Sequence, residues 1–184
     1  MEQEKTEGKT TVYSRTVMTE MIMPNDTNPM GNLMGGYLMR WMDIACAVCA
    51  ARHCGSQVAT ASVDHISFHS PIKLGEVITL TATVTRAFNT SVEIYVEVLA
   101  SEITGQNPRQ CNHAYFTFVA IDPVSGKPTA VPSVIPLTNE EKKQYEVAVR
   151  RRELRLILAG RMKPEEATEL QNFFSQLKPG NSVG

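Results

Sequence analysis

The sequence lacks the features that mark several large classes of protein. Its 18 lysines and arginines nearly balance its 19 aspartates and glutamates, and the formal net charge of -1 argues against a nucleic-acid-binding or membrane-surface protein. No apolar run approaches the roughly 20 residues that cross a bilayer. The first residues, MEQEK, lack the apolar core of a secretory signal. We therefore expect a cytoplasmic protein with free thiols.

The chain also lacks several catalytic and metal-binding patterns. A chain of 184 residues is short for the sheet of an α/β-hydrolase. The glycine-rich turn over 31–36 matches neither a P-loop nor a dinucleotide-binding loop, and the four histidines show no H-E-x-x-H spacing. Cys46 and Cys49 have a spacing that is compatible with redox or metal chemistry, but their alanine and valine neighbours favour two small buried side chains. We expect neither a metal nor a cofactor.

Hydrophobic patterning predicts the order of the structural elements. A β-leaning segment from Thr10 to Met23 precedes the glycine-rich turn and an apolar helix, for which Gly55 is a suitable C-cap. Four strands are predicted after the helix, over residues 57–68, 77–88, 91–99 and 110–122. The first of them has apolar or small residues on both sides, which predicts a central strand buried on both faces. The second and third alternate, and Glu93 is assigned to the outward face of the third.

The remainder of the chain is charged and helical, over residues 139–158 and again from Pro164 onwards. We predict a core domain over 10–137, a C-terminal helical extension over 138–178 and a disordered tail over 179–184. The element order predicts an α+β fold in which an antiparallel sheet of about five strands wraps around one long central helix. Because such a sheet leaves unpaired edges, we expect a homodimer.

The apolar helix carries a carboxylate where burial is expected. Between Gly36 and Ala51 only Arg40 and Asp43 are charged, so most faces of this helix are predicted to be buried. A buried carboxylate is costly unless it is paired, hydrated or used in a reaction. Asp43 is therefore either a general base or nucleophile, or an ion-pair partner of Arg40 three residues earlier.

Asn32 lies just before the same helix, next to Gly35 and Gly36. Free N–H groups and the positive end of the helix dipole favour developing negative charge at this point. The two glycines allow a substrate to approach the backbone closely, and an amide side chain here is suited to polarising a carbonyl group. The alternative is that Asn32 is only a cap or turn residue.

An ordered series of short motifs resembles one enzyme family. The motifs are residues 23–28 (MPNDTN), 31–36 (GNLMGG), 38–43 (LMRWMD), 51–54 (ARHC), 58–64 (VATASVD), 68–72 (FHSPI), 75–77 (GEV) and 91–94 (SVEI). From about Thr16 to about Arg155, the chain resembles hotdog-fold acyl-CoA thioesterases of the cytosolic acyl-CoA hydrolase type, which includes short bacterial enzymes and the brain acyl-CoA hydrolase. The resemblance implies a hotdog fold and hydrolysis of acyl-CoA to a free fatty acid and CoA.

The resemblance also implies an active site shared between two protomers. In the family, a loop asparagine and a helix aspartate from opposing protomers form each site, which gives these roles to Asn32 and Asp43. The family also implies CoA contacts along one strand and one turn, here Ala61, Ser62 and Val63 and then Asn89, Thr90 and Ser91. The basic cluster that includes Arg151 and Arg152 is a candidate for the CoA phosphates, with a solvated surface as the alternative. Family members are commonly trimers of dimers, so a homodimer or hexamer is expected.

Two other functions are weighed against hydrolysis. Residues 26–31 (DTNPMG) resemble the Asp-x-Asn-Pro-Leu-His signature of hotdog enoyl-CoA hydratases, but Gly31 stands where that reaction needs histidine. This substitution disfavours a hydratase. The second alternative is a non-catalytic acyl-CoA sensor on the same fold, against which the presence of both Asn32 and Asp43 in one chain argues.

Overall fold

A computed structural model describes residues 7–177 of the protein, so the tail predicted over 179–184 lies outside the described residues. The structure divides after Leu137 into two compact units. The first unit contains β1 (Lys9–Thr10), α1 (Thr11–Ser14), β2 (Thr16–Met21), a short 3₁₀ helix (Pro24–Asp26), α2 (Gly35–Cys54), β3 (Gln57–Phe68), β4 (Val77–Ala87), β5 (Ser91–Ser101), β6 (Arg109–Ile121) and β7 (Val134–Ile135). The second unit contains α3 (Asn139–Leu158), a 3₁₀ helix (Pro164–Glu166) and α4 (Thr168–Leu177).

Five strands of the first unit form one sheet around α2. Their order is β2-β4-β5-β6-β3, and every neighbouring pair is antiparallel. α2 contacts all five strands, and β1 and β7 form a separate parallel pair. The predicted α+β architecture, with a five-stranded sheet wrapped around a long central helix, is confirmed.

The core lies between α2 and the central strands. The apolar alternation predicted for β4 and β5 is confirmed, because all eight inward side chains are fully buried: Ile78, Leu80, Ala82, Val84, Val92, Ile94, Val96 and Val98. The helix contributes buried residues at intervals of three and four, namely Leu38, Trp41, Met42, Ala45, Cys46, Cys49, Ala50 and His53. This spacing forms one continuous stripe, which packs against the buried residues of the sheet.

The opposite side of α2 is exposed in the single chain. Met39, Ile44 and Val48 are each more than a third exposed. The prediction that most faces of this helix are buried is therefore wrong for one chain, because the sheet covers only one side. A helix side that carries these apolar residues together with the exposed Arg40 is not covered by the sheet.

β3 is an edge strand and not the central strand that its composition predicts. Within residues 7–177 it pairs with β6 alone, and the side chain of Phe68 is 60% exposed. Its register with β6 shifts between Thr60 and Ser62 and again between Asp64 and Ser67. Such irregularities bend and twist a strand locally. The apolar and small residues on its two sides therefore flank an unpaired edge.

Two further local predictions are wrong. The segment from Thr10 to Met23 is not continuous β structure, because α1 separates β1 from β2. Glu93 is buried rather than exposed, and it accepts a hydrogen bond from Thr85 Oγ1 at 2.6 Å. Thr85 lies within a register shift between β4 and β5, so simple alternation does not predict this contact.

The second unit is a helical pair that begins with a capping box. The N–H of Glu141 donates to Thr138 Oγ1 at 3.2 Å, and the N–H of Thr138 donates to Glu141 Oε2 at 3.0 Å. The Glu153 carboxylate on α3 accepts hydrogen bonds from the N–H groups of Glu169 and Leu170 at the start of α4. The helix predicted over 139–158 is confirmed. Among the helices of residues 7–177, none combines the length and apolar character that a membrane span requires.

Gly55 ends α2 in the left-handed conformation, with φ of 68° and its N–H donating to Ala51 O at 2.8 Å. Apart from the adjoining chain, no heavy atom of residues 7–177 lies within 4 Å of the position a Cβ would take, so backbone strain is the main cost of substitution. We predict that Gly55→Ala lowers the free energy of unfolding by about 1 kcal/mol, as measured in urea. Gly55→Asn is the control and loses less, because asparagine tolerates this conformation. Equal losses in the two variants would contradict the prediction.

Candidate active site

The loop before α2 is folded around the side chain of Asn28. Its Oδ1 accepts hydrogen bonds from the N–H groups of Met30 at 3.0 Å and Asn32 at 3.2 Å. The N–H of Asn28 in turn donates to Asn32 O at 2.8 Å. Gly31 has φ of 74°, a conformation that glycine adopts without strain. These contacts fix the backbone on both sides of Asn32.

The segment between β3 and β4 holds this loop from the other side. The N–H of Leu33 donates to Ile72 O at 2.7 Å, the N–H of Leu74 donates to Gly31 O at 2.9 Å, and Asn32 forms an isolated bridge with Lys73. The Asn32 side chain is half-buried and makes no hydrogen bond within residues 7–177. Its amide is therefore held in place by the backbone and remains available for a ligand.

Asn32 does not cap α2, so the alternative reading of this residue as a helix cap is wrong. The N-cap is Met34, whose side chain forms no capping hydrogen bond. The N–H groups of Gly35 and Gly36 find no acceptor among the described residues. A Cβ at Gly35 would lie 3.2 Å from Phe68 Cζ, whereas the space around Gly36 is open. Gly36 rather than Gly35 therefore leaves room for a substrate beside the positive end of the helix.

A cleft of about 300 Å³ opens beside the loop. It is lined by Asn28, Asn32, Leu33, Gly35, Leu38, Phe68, His69, Ser70, Pro71, Ile72 and Cys111. Apolar walls with a few amide, hydroxyl and imidazole groups are typical of small-molecule sites. No lysine or arginine lines it.

Asp43 lies on the side of α2 that meets β3, half-buried. Thr60 Oγ1 donates a hydrogen bond to Asp43 Oδ1 at 2.8 Å, and within residues 7–177 Oδ2 has no hydrogen-bond partner. Arg40 forms no ion pair with Asp43 in the described part of the chain, so the alternative reading of Asp43 as its ion-pair partner is wrong. The contact of Thr60 with Asp43 is not predictable from the sequence, because a single threonine in a strand of small residues carries no distinguishing pattern.

The strand and turn predicted to contact CoA lie at the same end of the sheet. Ala59 pairs with Val119, and Val119 pairs with Ser91. Ser91 is therefore two strand spacings from Ala59, about 10 Å. The turn over 89–91 is tied down by the N–H of Ala120, which donates to Thr90 O at 2.9 Å.

The other residues predicted to contact CoA fall in two places. Ala61 lies where the register of β3 shifts, and the buried Ser62 Oγ has no hydrogen-bond partner within the described residues. Arg151 and Arg152 lie on α3 in the second unit, where Arg151 Nη2 donates to Gln144 O at 3.1 Å. Contact of any of these residues with CoA stays a prediction.

Asn32 and Asp43 are not brought to one point by the single chain. The cleft that contains Asn32 adjoins Phe68 at one end of β3, whereas Asp43 contacts Thr60 toward the other end. Eight residues of helix separate Gly35 from Asp43, a rise of about 12 Å. Asp43 does not line the cleft.

The cysteines are unsuited to nucleophilic chemistry. Cys46 and Cys49 are fully buried. Burial raises the pKa of Cys49 to about 12 and that of Cys54 to about 11, and it also raises the pKa of Cys46. Their thiolate forms are scarce at neutral pH. Over residues 7–177 no three or more His, Cys, Asp or Glu side chains are grouped so that they could hold a metal ion.

The curved antiparallel sheet around a long helix, with a ligand-sized cleft at the start of that helix, defines a hotdog-fold protein. Residues 30–105 match the model of the thioesterase superfamily. An acyl-CoA thioester hydrolase of Bacillus subtilis, YkhA, itself described as uncharacterized, is 36% identical over 138 residues, which cover 75% of this chain and 80% of that protein. The chain belongs to the thioesterase superfamily.

The mammalian relatives are longer than this chain. Mouse acyl-coenzyme A thioesterase 11 is 37% identical over 146 residues, 79% of this chain but 24% of that protein. Rat cytosolic acyl coenzyme A thioester hydrolase is 37% identical over 142 residues, 76% of this chain but 37% of that protein. The chain therefore spans only about a quarter to a little over a third of these mammalian relatives.

Solved structures of bacterial enzymes share the fold. The acyl-CoA hydrolase of Staphylococcus aureus, in complex with butyryl coenzyme A, coenzyme A and coenzyme A disulfide, has a TM-score of 0.76 and 35% identity, covering 83% of this chain and 94% of that one. A hexameric apo acyl-CoA thioesterase has a TM-score of 0.80 and 37% identity, covering 83% and 97%. Structures of the S. aureus enzyme with Asp43, Thr60 or Asn28 replaced by alanine are also similar to this chain.

An ion pair fixes the cleft wall at Pro71. Arg109 donates from Nη1 and Nη2 to the two oxygens of Glu76 at 2.8 and 2.7 Å, and from Nη2 to Pro71 O at 2.9 Å. Hydrogen bonds from Arg109 are the main cause that lowers the pKa of Glu76 from its usual 4.5. Because the folded state depresses this pKa, the contribution of the pair is complete above about pH 4.5 and is lost as the pH falls further.

We predict that Glu76→Gln lowers the free energy of unfolding at about pH 7 by up to about 1 kcal/mol. The difference from the wild type shrinks at about pH 3, because protonation of the unfolded carboxylate, whose usual pKa is 4.5, then competes with the ion pair. Urea unfolding of both proteins at the two pH values measures the effect. A difference that stays the same at low pH would show that Glu76 does not act through its charge.

Proposed function

We propose that this protein hydrolyses acyl-CoA thioesters to a free acid and CoA. The observation that carries the proposal is the Asp43 carboxylate on an otherwise apolar helix, held by Thr60 through one oxygen while the other has no partner in the described residues. Such a group can accept a proton from water or attack a carbonyl carbon. The names of the B. subtilis, rat and S. aureus relatives support the same chemistry.

Two routes lead from this carboxylate to the same products. In the first, Asp43 accepts a proton from water, the hydroxide adds to the thioester carbonyl carbon, and the CoA thiolate leaves and takes up that proton. In the second, an Asp43 oxygen adds to the carbonyl carbon, the CoA thiolate leaves, and water hydrolyses the resulting anhydride. Both routes place negative charge on the carbonyl oxygen, which needs a hydrogen-bond donor.

Asn28 and Asn32 are the proposed donors to that oxygen. Asn32 was the asparagine expected from the sequence, and Asn28 lines the same cleft. Because Asn28 Oδ1 already accepts two backbone hydrogen bonds, its Nδ2 is directed to act as a donor. The uncommitted N–H groups of Gly35 and Gly36 at the start of α2 add to the positive potential.

The variants studied in the S. aureus enzyme support this set of residues. That enzyme was studied with alanine at Asp43, Thr60 and Asn28, and this chain has the same residue type at each of these numbers. We infer that Thr60 positions the Asp43 carboxylate. We also infer that Asn28 acts with Asn32, which the sequence analysis considered alone.

We infer that each site is shared by two copies of the chain. The β3 edge is unpaired and the adjoining side of α2 is apolar and exposed, as an interface between copies requires. Antiparallel pairing of two β3 edges about a twofold axis places the Phe68 end of one strand beside the Thr60 end of the other. The cleft of one copy then faces Asp43 of the second. The hexameric acyl-CoA thioesterase supports a larger assembly, proposed here as a trimer of dimers.

The proposed substrate is an acyl-CoA bound across the β3 end of the sheet. Residues 61–63 and 89–91 are the proposed CoA contacts, and Arg151 and Arg152 remain candidates for its phosphates. We also propose a cytoplasmic location, which the cytosolic rat relative supports.

We predict that Asp43→Asn lowers hydrolysis by about 10²-fold or more while CoA still binds, because the substitution preserves shape and removes the base. Thr60→Val keeps the shape of threonine and removes its hydrogen bond, so it should lower kcat less severely. Thr60→Ser is the control and keeps most activity. Thiol release measures hydrolysis, and calorimetry measures CoA binding. Wild-type turnover in a folded Asp43→Asn protein would contradict the role of Asp43, and CoA binding without thiol release by the wild type would indicate a sensor.

We predict that two inactive variants restore activity when mixed, if the site is shared. One variant carries Asn28→Ala with Asn32→Ala, and the other carries Asp43→Asn. Each heterodimer then contains one complete site and has about half the activity of a wild-type dimer. Mass spectrometry verifies subunit exchange. If the subunits exchange but no activity returns, the shared site is contradicted. The residues of each site would then come from a single chain.

A further inference from the structure

Asn112 on β6 has a fully buried side-chain amide whose hydrogen-bonding groups have no partner among the described residues. Its side chain is 0% exposed, and neither Oδ1 nor Nδ2 has a hydrogen-bond partner within residues 7–177. An asparagine amide offers two donors and a carbonyl acceptor, so both of its hydrogen-bonding functions are unused. Buried polar groups are nearly always paired, and an exception calls for an explanation, of which a bound group that completes the hydrogen bonding is one.

The strand register places Asn112 beside the cleft. It pairs with Phe68 on β3 and with Val98 on β5. Directly opposed side chains in antiparallel strands lie on the same face, with Cβ atoms about 5 Å apart. Val98 is fully buried in the core that α2 covers, so Asn112 faces the same side. Phe68 and Cys111, its neighbours across the sheet and along the chain, both line the cleft.

Phe68 lines the cleft and is the residue directly opposite Asn112 on the neighbouring strand, whereas Asn112 itself does not line the cleft. The ring of Phe68 packs against the start of α2, since its Cζ lies 3.2 Å from the position of a Cβ on Gly35. The residue as a whole is nevertheless 60% exposed. Access from the cleft beside Asn32 to the amide of Asn112 requires a rotation of this side chain, which costs little burial.

We propose that Asn112 determines acyl specificity by hydrogen bonding a hydroxyl group on a short acyl chain. This inference rests on the proposed thioesterase function, in which the thioester carbonyl lies beside Asn28 and Asn32. The acyl chain then runs past Phe68 along the inner face of the sheet. The volume of about 300 Å³ is at the small end for ligand pockets, which limits the length of this chain.

The unpaired Oδ1 and Nδ2 of Asn112 favour a hydroxyl over other polar substituents on the acyl chain. A hydroxyl both donates and accepts, so it satisfies Oδ1 and Nδ2 together, whereas a keto oxygen only accepts. A carboxylate would bring a negative charge into a cleft that no lysine or arginine lines. A plain alkyl chain would leave the amide unpaired and desolvated, which is the situation in which enzymes discriminate most strongly.

The test compares two acyl-CoA substrates of equal length, butyryl-CoA and 3-hydroxybutyryl-CoA. The wild type is expected to favour the hydroxylated substrate by about tenfold or more in kcat/KM. Asn112→Leu keeps the branching at Cγ and removes hydrogen bonding, so it should abolish or reverse this preference. Thr117→Val is the matched control, because Thr117 also carries a buried unpartnered hydroxyl on β6 but lies on the opposite face of the sheet. It should keep the wild-type preference.

A second measurement separates a ligand role from a structural one. If the amide is unpaired in the free protein, Asn112→Leu raises the Tm, whereas an amide satisfied by a permanently bound water makes the variant less stable. Asn112→Val serves as a second apolar variant if the leucine variant does not fold. An unchanged substrate ratio in a folded apolar variant overturns the proposal.

The experiment distinguishes a protein that does not hydrolyse thioesters from one in which Asn112 does not recognise the hydroxyl group. If the wild type releases no thiol from either substrate, the proposed thioesterase function is wrong. The ratio of the Kd values for the two intact thioesters then takes the place of the ratio of kcat/KM. Loss of the hydroxyl preference in Asn112→Leu still supports the role of Asn112, and equal Kd ratios in the two proteins reject it.

Discussion

The packing of α2 against five strands is the constraint on which the rest of the structure depends. One stripe of the helix enters the core, and its contact with every strand fixes which strand each remaining residue meets. Gly35 thereby meets Phe68, and Asp43 meets Thr60. A rotation of the helix by one residue, about 100°, would bury Asp43 or expose the apolar stripe. The packing of the core therefore sets the geometry of the candidate site, and the proposed catalytic groups need no separate scaffold.

The same packing leaves two surfaces incomplete, and both belong to the site elements. The free edge of β3 and the exposed apolar side of α2 adjoin the contact between Thr60 and Asp43. An unpaired strand edge and an exposed apolar patch each favour association. Because one chain leaves the asparagine cleft and the aspartate apart, the proposed association with a second copy would provide both the missing burial and the missing half of the site.

The sequence predicted those parts of the fold that one chain completes by itself. The alternation of β4 and β5 was informative because these strands have one core face within the chain, and Gly55 marked the end of α2. β3 was assigned wrongly, since small and apolar residues on both sides indicate burial without indicating which chain supplies it. Glu93 was misplaced because the irregularity at Thr85 disturbs the alternation. The position of Asp43 followed from its charge on an apolar helix, whereas Thr60 and Asn28 acquire meaning only through contacts in three dimensions.

Most of the buried polar side-chain atoms without a partner in the described part of the first unit lie on β3 or on the neighbouring β6, and Nδ1 of His53 on α2 is the exception. Asn28 is satisfied by the backbone at Oδ1, Asp43 is held at one oxygen, and the side chains of Asn32, Ser62 and Asn112 have no partners among the described residues. The central strands β4 and β5 are instead filled with fully buried apolar residues. This division has a physical basis, because polar groups left unpaired destabilise the fold and are tolerated only beside a core that is stable without them. The side of the molecule that is least satisfied in isolation is therefore the side on which substrate and a second chain are expected to bind.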